Sequence, residues 1–258
     1  MFKSGLVLSG GGVRGIAQIG AIRAMEEAGL QASLVSGSSA GSVVGALYCA
    51  GYSPDEMMLF FKETSLFQIS RFAFGKPGFI DTDKFYDDFL KWFPEDRFEA
   101  LDKKLFVSSV DMLHGKLKVF NEGPLIPRLL ASSAFPGLFS PVAMDDSLYA
   151  DGGILDNFPI EPLKGQAQHI MGVYVSPLEK IAESNLKYSV NVLERAIRIN
   201  YSRRSISKFE ACDLLIRPKQ LNEYGLLDVR KMDEIYEIGY REAIKQIDLL
   251  GQKKELFI

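Results

Sequence analysis

The chain has 258 residues, of which 47% are hydrophobic and 24% are charged, with a mean hydropathy of +0.03. This composition supports a sizeable buried core and excludes a disordered chain. A net charge of −3 and an isoelectric point near 5.6 argue against nucleic acid as a partner.

The short apolar run at the N-terminus and the spacing of the cysteines predict a protein of a reducing compartment. The apolar run near the N-terminus is too short for a signal peptide, and nowhere do ~18 apolar residues follow one another. Cys49 and Cys212 show neither metal-ligand nor disulfide spacing and have apolar neighbours. We therefore expect a soluble, cytoplasmic protein with two buried free thiols.

The first predicted unit is a strand, a glycine-rich loop and a helix. Residues 5–9 form an apolar run that is typical of a buried parallel strand. Residues 10–15, with the sequence GGGVRG, follow this strand directly. A helical pattern then begins, with Gly29 placed to end it. Its apolar positions are Ile16, Ile19, Ile22 and Met25.

A second strand and helix follow in the same order. Residues 33–36 predict a strand that leads into residues 37–41, GSSAG, and then into a helix ending near Gly51. In open α/β sheets, ligands bind at the carboxyl ends of the strands. We therefore expect the two glycine turns to share one crevice.

The second turn matches the pattern G-x-S-x-G, with Ser39 at its centre. In that motif a sharp strand-to-helix turn exposes a serine hydroxyl, and the glycines avoid collisions with neighbouring backbone. The N–H of Ala40 lies at the helix N-terminus, where developing negative charge is favoured. A Ser/Gly-rich loop that only caps the helix is the alternative that this motif leaves open.

The first turn has several possible functions. Gly10, Gly12 and Gly15 also satisfy G-x-G-x-x-G, which suggests a dinucleotide site. Such a site needs an acidic residue at the end of the second strand, but that strand ends in Ser-Gly. A P-loop is excluded because Ile-Ala follows Gly15 instead of Lys and Ser or Thr. An oxyanion hole and a tight packing turn remain as interpretations.

The next stretch contains one clear helix and one irregular segment. Ser53 and Glu56 form a predicted capping box, with Pro54 in the first turn. Residues 67–80 are rich in aromatics and broken by Gly and Pro, which fits a flap over an apolar pocket or a core-plugging loop. Residues 81–83 then begin a helix that extends to about residue 92.

The remaining elements predict one α/β domain over residues 1–258, without repeats or linkers. We expect a hairpin of residues 104–112 and 117–120, a short helix 124–130, a compact small-residue segment 131–142, strands at 148–150, 169–175 and 213–216, and amphipathic helices at 185–210 and 229–250. The last two complete a domain whose motifs lie within about residues 5–162.

A serine nucleophile needs a base within hydrogen-bond reach, and Asp151 is the best candidate. It ends the strand 148–150 and is followed by two glycines, which allow close backbone packing. Burial would raise its pKa and make it a better base. The two histidines are weaker candidates for the base. His114 lies in a predicted turn, and His169 begins a buried strand, where we expect a structural histidine. An Asp-Gly turn is the alternative for Asp151 alone, but both upstream glycine turns favour the base.

Together the three blocks, GGGVRG at 10–15, GSSAG at 37–41 and DGG at 151–153, resemble the signature of the patatin-like phospholipases. Residues 131–142 resemble the segment that precedes the Asp block in that family. The resemblance implies a three-layer α/β sandwich with a mainly parallel central sheet. It also implies hydrolysis of lipid acyl esters by a Ser–Asp dyad without histidine, and neither a metal nor an organic cofactor.

The resemblance also assigns the site residues. It implies Ser39 as the nucleophile and Asp151 as the base. It implies a nucleophile turn formed by Gly37 and Gly41. The implied oxyanion hole comprises Gly10, Gly11, Gly12, Arg14, Gly15 and Ala40.

Other functions stay open at this point. An acyltransferase, a peptidase or another esterase could use the same dyad, and a non-catalytic adaptor could keep the fold. The expected partner is a lipid or acyl-ester substrate. The phenylalanines of residues 67–79 predict at most a transient contact with a membrane surface, because no basic cluster accompanies them. The oligomeric state is not predicted.

Overall fold

The computed structural model describes residues 3–64 and 78–255, and a mixed eight-stranded sheet crosses the centre of this part of the chain. The strands are β1 (Ser4–Leu8), β2 (Leu34–Ser38), β3 (Lys104–Asp111), β4 (Lys116–Phe120), β5 (Val142–Met144), β6 (Ser147–Asp151), β7 (His169–Val173) and β8 (Leu214–Ile216). The α-helices are α1 (Ile16–Glu27), α2 (Ala40–Cys49), α3 (Pro54–Glu63), α4 (Tyr86–Leu90), α5 (Ile126–Ser133), α6 (Ser189–Ile206) and α7 (Met232–Glu255).

The sheet has a parallel centre and an antiparallel side. The strand order is β5-β6-β3-β2-β1-β7-β8, with β4 also paired to β3. Strands β3, β2, β1, β7 and β8 are parallel neighbours. Strands β4, β5 and β6 pair in the antiparallel sense. The predicted α/β fold with a mainly parallel central sheet is therefore confirmed.

The two faces of the sheet are covered unequally. Alternate side chains of a strand point to opposite faces. Leu6 and Leu8 of β1 join a large core with the helices α1, α2, α3, α5 and α7. Val7 points the other way, into a smaller core with Phe158 and Leu163. The layer on this second face consists of loop and short 3-10 turns instead of long helices.

Helices α1 and α7 cross at close range. A Cβ atom at Gly20 would collide with the main chain at Tyr236, and one at Gly239 would collide with the main chain at Ala17. Glycine at both positions therefore lets the two helix backbones touch. This crossing fixes the C-terminal helix against the helix that follows the first glycine turn.

The register of β3 positions the candidate site. Ser108 of β3 lies opposite Ser38 at the end of β2, and the next residue, Ser109, lies opposite Asp151 at the end of β6. Strand β4 pairs with β3 across this junction, so β2 and β6 share the other edge of β3. The carboxyl ends of β2 and β6 therefore meet, and the residues that follow them are neighbours.

Several local predictions are confirmed. Ser53 and Glu56 form the predicted capping box at the start of α3. The hairpin of β3 and β4 turns near Gly115, which has a φ of +62°. Gly29, with a φ of +72°, donates its N–H to the carbonyl of Glu26 at the end of α1.

Other predictions need correction or lie outside the described residues. Strand β5 is not among the predicted elements. It pairs with β6 across a turn at Asp145 and Asp146, which have φ values of +50° and +57°. A two-residue turn with both φ values positive matches the twist of a hairpin. Cys49 is buried as expected, but Cys212 is only half-buried. Most of the aromatic segment 67–80 lies outside the described residues, so the flap stays a prediction.

Candidate active site

Ser39 occupies a strained turn between β2 and α2. Its φ and ψ are 53° and −130°, a conformation that residues other than glycine rarely adopt. A Cβ atom at Gly37 would collide with the main chain at Gly41, and one at Gly41 would collide with the main chain at Leu8. The two glycines of the motif are therefore required by the close packing of the turn.

The hydroxyl of Ser39 faces the carboxylate of Asp151. Ser39 Oγ donates a hydrogen bond of 2.7 Å to Asp151 Oδ2, and the two residues are 8% and 4% exposed. Asp151 Oδ1 accepts a hydrogen bond of 2.7 Å from the N–H of Gly153. The bond to Oδ1 holds the carboxylate in place and leaves Oδ2 directed at Ser39.

The carboxylate of Asp151 is tuned by burial. Burial raises its pKa to about 6, although the hydrogen bonds from Ser39 and Gly153 act in the opposite direction. A carboxylate with this pKa is ionised at neutral pH and accepts a proton more readily than an ordinary aspartate.

Ser132 is a site residue that the sequence did not single out. Its Oγ accepts a hydrogen bond of 2.9 Å from the N–H of Ser39 and donates one of 2.7 Å to the carbonyl of Ser108. It thus joins the strained turn to the middle of β3. The signal available in the sequence was its place in the small-residue segment 131–142.

Three residues of the cleft that contains Ser39 have backbone N–H groups without a hydrogen-bond partner among the described residues. These groups belong to Gly11 and Gly12 of the first glycine turn and to Ala40 at the N-terminus of α2. All three residues line one cleft with Ser39. Unpaired donors at a helix N-terminus form a site for a negatively charged oxygen.

The carbonyl groups of the first glycine turn are held from the opposite side. The carbonyl of Gly10 accepts hydrogen bonds from Ser176 Oγ at 2.7 Å and from Asn157 Nδ2 at 3.3 Å. The carbonyl of Gly11 accepts one from Arg14 Nε at 3.1 Å. In a trans peptide, N–H and C=O point in opposite directions. Fixing these two carbonyls therefore orients the N–H groups of Gly11 and Gly12.

Not every glycine of the implied oxyanion hole has a free donor. The N–H of Gly10 donates to the main-chain carbonyl of Asn157 at 3.2 Å, so it is not one of the free donors. A Cβ atom at Gly10 would lie 3.0 Å from Ser39 Cβ, and one at Gly15 would lie 2.7 Å from Ala40 Cβ. These two glycines allow close packing beside the nucleophile.

Arg14 lies behind the glycine turn and is connected to helix α6. Its side chain is fully buried, and its Nη2 atom lies 2.8 Å from Glu194 Oε1. Glu194 also pairs with Arg198, one turn further along α6. Burial would raise the pKa of Glu194, but the two arginine charges outweigh it and lower that pKa. Arg14 thus braces the turn, and its guanidinium is already paired.

The cleft beside Ser39 encloses about 860 Å³ of empty space, including the part that is open to solvent. Most of the side chains around it are apolar. They include Val43, Phe61, Leu130, Phe135, Phe139, Ile154, Ile197, Leu226 and Leu227. Such a lining suits the hydrocarbon chain of a lipid.

Neither histidine lines this cleft. His114 is exposed, and its Nδ1 atom lies 2.8 Å from Asp111 Oδ2. His169 is also exposed, with Nδ1 3.7 Å from Asp213 Oδ1, so the expectation of a buried structural histidine is wrong. It begins β7 and lies opposite Ser4, at the edge of the sheet away from the carboxyl ends.

Two features are absent from residues 3–64 and 78–255. No group of three or more histidine, cysteine or acidic side chains there is arranged to hold a metal ion. No helix in the same ranges combines the length and apolar character needed to cross a membrane.

One family model and several known proteins are similar to this chain. The family model of patatin-like phospholipases matches residues 6–164. Lysophospholipase nte1 of Aspergillus niger is 28% identical over 284 residues, covering 98% of this chain and 18% of that protein. Lysophospholipase NTE1 of Meyerozyma guilliermondii is 27% identical over 267 residues, covering 92% of this chain and 18% of that protein. The chain therefore spans about a fifth of the length of these relatives.

A solved structure supports the fold. VipD from Legionella pneumophila superposes with a TM-score of 0.53 at 16% identity, covering 96% of this chain and 67% of that one. At this identity, the likeness concerns the fold alone.

Proposed function

Because the chain belongs to the patatin-like phospholipase family, we propose that it is a serine hydrolase that cleaves acyl esters of lipids through an acyl-enzyme. The observation that carries this proposal is the hydrogen bond of 2.7 Å from Ser39 Oγ to the buried carboxylate of Asp151. The apolar cleft and the free N–H groups beside this pair add support.

In the acylation step, Ser39 Oγ attacks the ester carbonyl while Asp151 Oδ2 takes the hydroxyl proton. The raised pKa of Asp151 makes it a competent base near neutral pH. The carbonyl oxygen becomes an oxyanion in the tetrahedral intermediate. When this intermediate collapses, the alcohol leaves with the proton returned by Asp151, and the acyl group stays on Ser39.

The oxyanion is stabilised by the N–H groups of Gly11, Gly12 and Ala40. These donors are oriented before the substrate arrives, so little reorganisation is needed when the charge develops. Arg14 acts through the carbonyl of Gly11, which it holds at 3.1 Å, and is therefore a positioning residue.

In the deacylation step, Asp151 takes a proton from water, and the resulting hydroxide attacks the acyl-enzyme. The second tetrahedral intermediate collapses with return of the proton to Ser39, and the fatty acid is released. Asp151 Oδ1 stays bonded to Gly153 throughout, so only Oδ2 exchanges protons.

The proposed substrate class is an ester of a long-chain fatty acid, and lysophospholipids are the first to test. The apolar lining of the cleft suits such a chain. The two fungal relatives are named lysophospholipases.

Hydrolysis of short- and long-chain p-nitrophenyl esters and of a lysophosphatidylcholine tests the proposal, with the wild type beside Ser39→Ala. We expect turnover in the wild type, a preference for the longer chain, and no turnover in the variant. Ser36→Ala is the matched control, because Ser36 lies on β2, the strand that leads to Ser39, and its Oγ is buried with no partner among the described residues. Equal turnover in the wild type and Ser39→Ala would contradict the proposal.

A further inference from the structure

Helix α6 has a row of exposed apolar side chains on one side. Val192, Ile199 and Ile206 are 50%, 52% and 52% exposed, and Tyr188, which precedes the first turn, is 69% exposed. Steps of seven residues return to nearly the same side of an α-helix, so the three helical residues form a row about 21 Å long. Large exposed apolar surfaces mark interaction sites, and this row is a candidate for one. We call these four residues the α6 surface.

The opposite side of α6 belongs to the candidate active site. Glu194, Ile197 and Tyr201 line the cleft, and Arg198 and Tyr201 are buried. The packing of α6 onto the protein is therefore provided by its inner side. The apolar character of the α6 surface is not explained by folding.

The α6 surface lies in a strongly basic segment. Residues 187–208 contain six basic residues and one acidic residue, in a chain with a net charge of −3. Of the basic residues, Arg198 and Lys208 are held in ion pairs with carboxylates. Lys187, Arg203 and Arg204 are exposed. The acidic residue, Glu194, faces inward and pairs with Arg14 and Arg198. Arg203 lies on the same side of the helix as Val192 and Ile199, is exposed, and has no ion pair among the described residues. The outer side of α6 is therefore both apolar and positively charged.

Exposed apolar side chains continue from α6 toward the cleft. Leu193 packs against Gly137, where a Cβ atom would lie 2.9 Å from Leu193 Cδ2. Phe139, in the same loop, lines the cleft. Phe79 is 66% exposed and donates its N–H to the carbonyl of Leu138 at 3.0 Å. Leu193 and this loop thus connect the α6 surface, on the outer side of the helix, with the cleft on its inner side.

We propose that the α6 surface docks onto a lipid bilayer that carries anionic head groups. Helices that bind in the plane of a bilayer combine an apolar side with basic residues, and anionic lipids attract those residues. A second copy of this chain fits less well, because two equally basic surfaces would repel each other. Docking would bring the cleft to the level of the head groups. The use of this position for catalysis rests on the proposed lipid hydrolase function, whereas docking itself does not.

Co-sedimentation with vesicles of phosphatidylcholine, with and without phosphatidylserine, tests the proposal. All proteins carry Ser39→Ala, so that no lipid is consumed. The test variant is Val192→Ser/Ile199→Ser/Ile206→Ser. The matched control is Met112→Ser/Leu113→Ser, which removes two exposed apolar side chains from the β3–β4 turn.

We expect the triple variant to bind vesicles about tenfold more weakly or worse, because three side chains lose their burial in the interface. The control pair should bind like the parent protein. Arg203→Glu, a second variant on the helix exterior, should weaken binding about tenfold, and only to vesicles that contain phosphatidylserine.

Unchanged vesicle binding in the triple variant and in Arg203→Glu would overturn the proposal. A parent protein that is a dimer and ignores vesicles, with a triple variant that is a monomer, would also overturn it in favour of a contact between copies. With Ser39 restored, both α6 variants should keep turnover of a soluble short-chain ester, which excludes misfolding. If the wild type lacks that turnover while vesicle binding still depends on α6, the proposed function fails and the docking surface stands.

Discussion

The paired strands β3 and β6 carry two aspartates in opposite environments. Asp151 is buried and accepts hydrogen bonds from Ser39 and Gly153, and burial raises its pKa to about 6. Asp111, at the far end of the same ladder, accepts hydrogen bonds from Ser147 and His114, which lower its pKa to about 2. Both residues end a strand and precede a turn, so position in the chain alone does not make a base.

The comparison shows what makes Asp151 suitable for proton transfer. A carboxylate with many donors is a stable anion and a weak base, whereas a buried carboxylate with few donors takes up a proton near neutral pH. Burial arises from the meeting of β2 and β6 along β3, which is a property of the whole sheet.

The largest expected effect is the loss of turnover in Asp151→Asn. The amide cannot take the proton of Ser39, so we expect kcat/KM to fall by about 10³-fold or more. Asp111→Asn should stay within about twofold of the wild type, because Asp111 does not line the cleft. Initial rates on the same ester measure both. Comparable losses in the two variants would remove the distinction between the aspartates.

Stability should change in opposite directions in these two variants. Ionised Asp151 costs stability because it is buried, and a rise in pKa from near 4 to about 6 corresponds to about 3 kcal/mol at most. The cost is full above pH 6, shrinks as the pH falls through 6, and vanishes below pH 4. Asp151→Asn should therefore be more stable than the wild type at pH 8 and equal to it near pH 3.

Asp111 has a lowered pKa, so its ionised form stabilises the fold above its ordinary pKa, and this stability is lost as the pH falls toward 2. Asp111→Asn should therefore be less stable at pH 8. Urea unfolding at several pH values measures both differences. A destabilised Asp151→Asn at pH 8 would contradict the account of its burial.

The pH dependence of kcat/KM in the wild type reports the pKa of Asp151. If Asp151 must be ionised, kcat/KM should fall about tenfold per pH unit below pH 6 and stay level above it. A fall centred near pH 4 would mean that burial does not raise the pKa of Asp151.

A smaller effect is expected from Glu194→Gln. Removal of this charge leaves Arg14 and Arg198 buried without their shared partner, so the carbonyl of Gly11 and the N–H of Gly12 lose their fixed orientation. We expect kcat to fall about tenfold to a hundredfold with KM nearly unchanged, because the donors act on the transition state. Glu237→Gln, which breaks an exposed pair with Arg241 on α7, is the control. A change in KM alone would contradict the positioning function.

The smallest effect is expected from Ser132→Ala. It leaves the N–H of Ser39 without its partner and should cost about 1–3 kcal/mol of stability. We expect kcat to fall several-fold, since the strained turn loses one restraint. Ser36→Ala, with no hydrogen bond to lose among the described residues, should change neither quantity. Equal effects of the two substitutions would show that the bond to Ser39 is unimportant.

The parts of the fold that depend on local rules could be predicted from the sequence. Strands and helices up to α3 follow from apolar patterns, glycine turns and the capping box at Ser53. The proximity of Ser39 and Asp151 was expected because both follow strand ends. These features need only a few neighbouring residues to be recognised.

The contacts that hold the site could not be predicted in this way. Ser132 is 93 residues from Ser39 in the sequence, and Glu194 is 180 residues from Arg14. Ser132 lies in the segment 131–142, but nothing in that pattern assigns it a contact with Ser39. Glu194 belongs to no motif, and an acidic residue on an amphipathic helix is expected on its exposed side. Ser132 reaches Ser39 from α5 beside β3, and Glu194 reaches Arg14 from α6. Such contacts depend on the complete fold.

Covalent labelling by a fluorophosphonate, followed by mass spectrometry of the labelled peptide, tests the central claim most directly. We expect the wild type to be labelled at Ser39, Ser39→Ala to remain unlabelled, and Asp151→Asn to be labelled at least about a hundredfold more slowly. Labelling of another residue in Ser39→Ala, or an unchanged rate in Asp151→Asn, would contradict a nucleophile at Ser39 activated by Asp151.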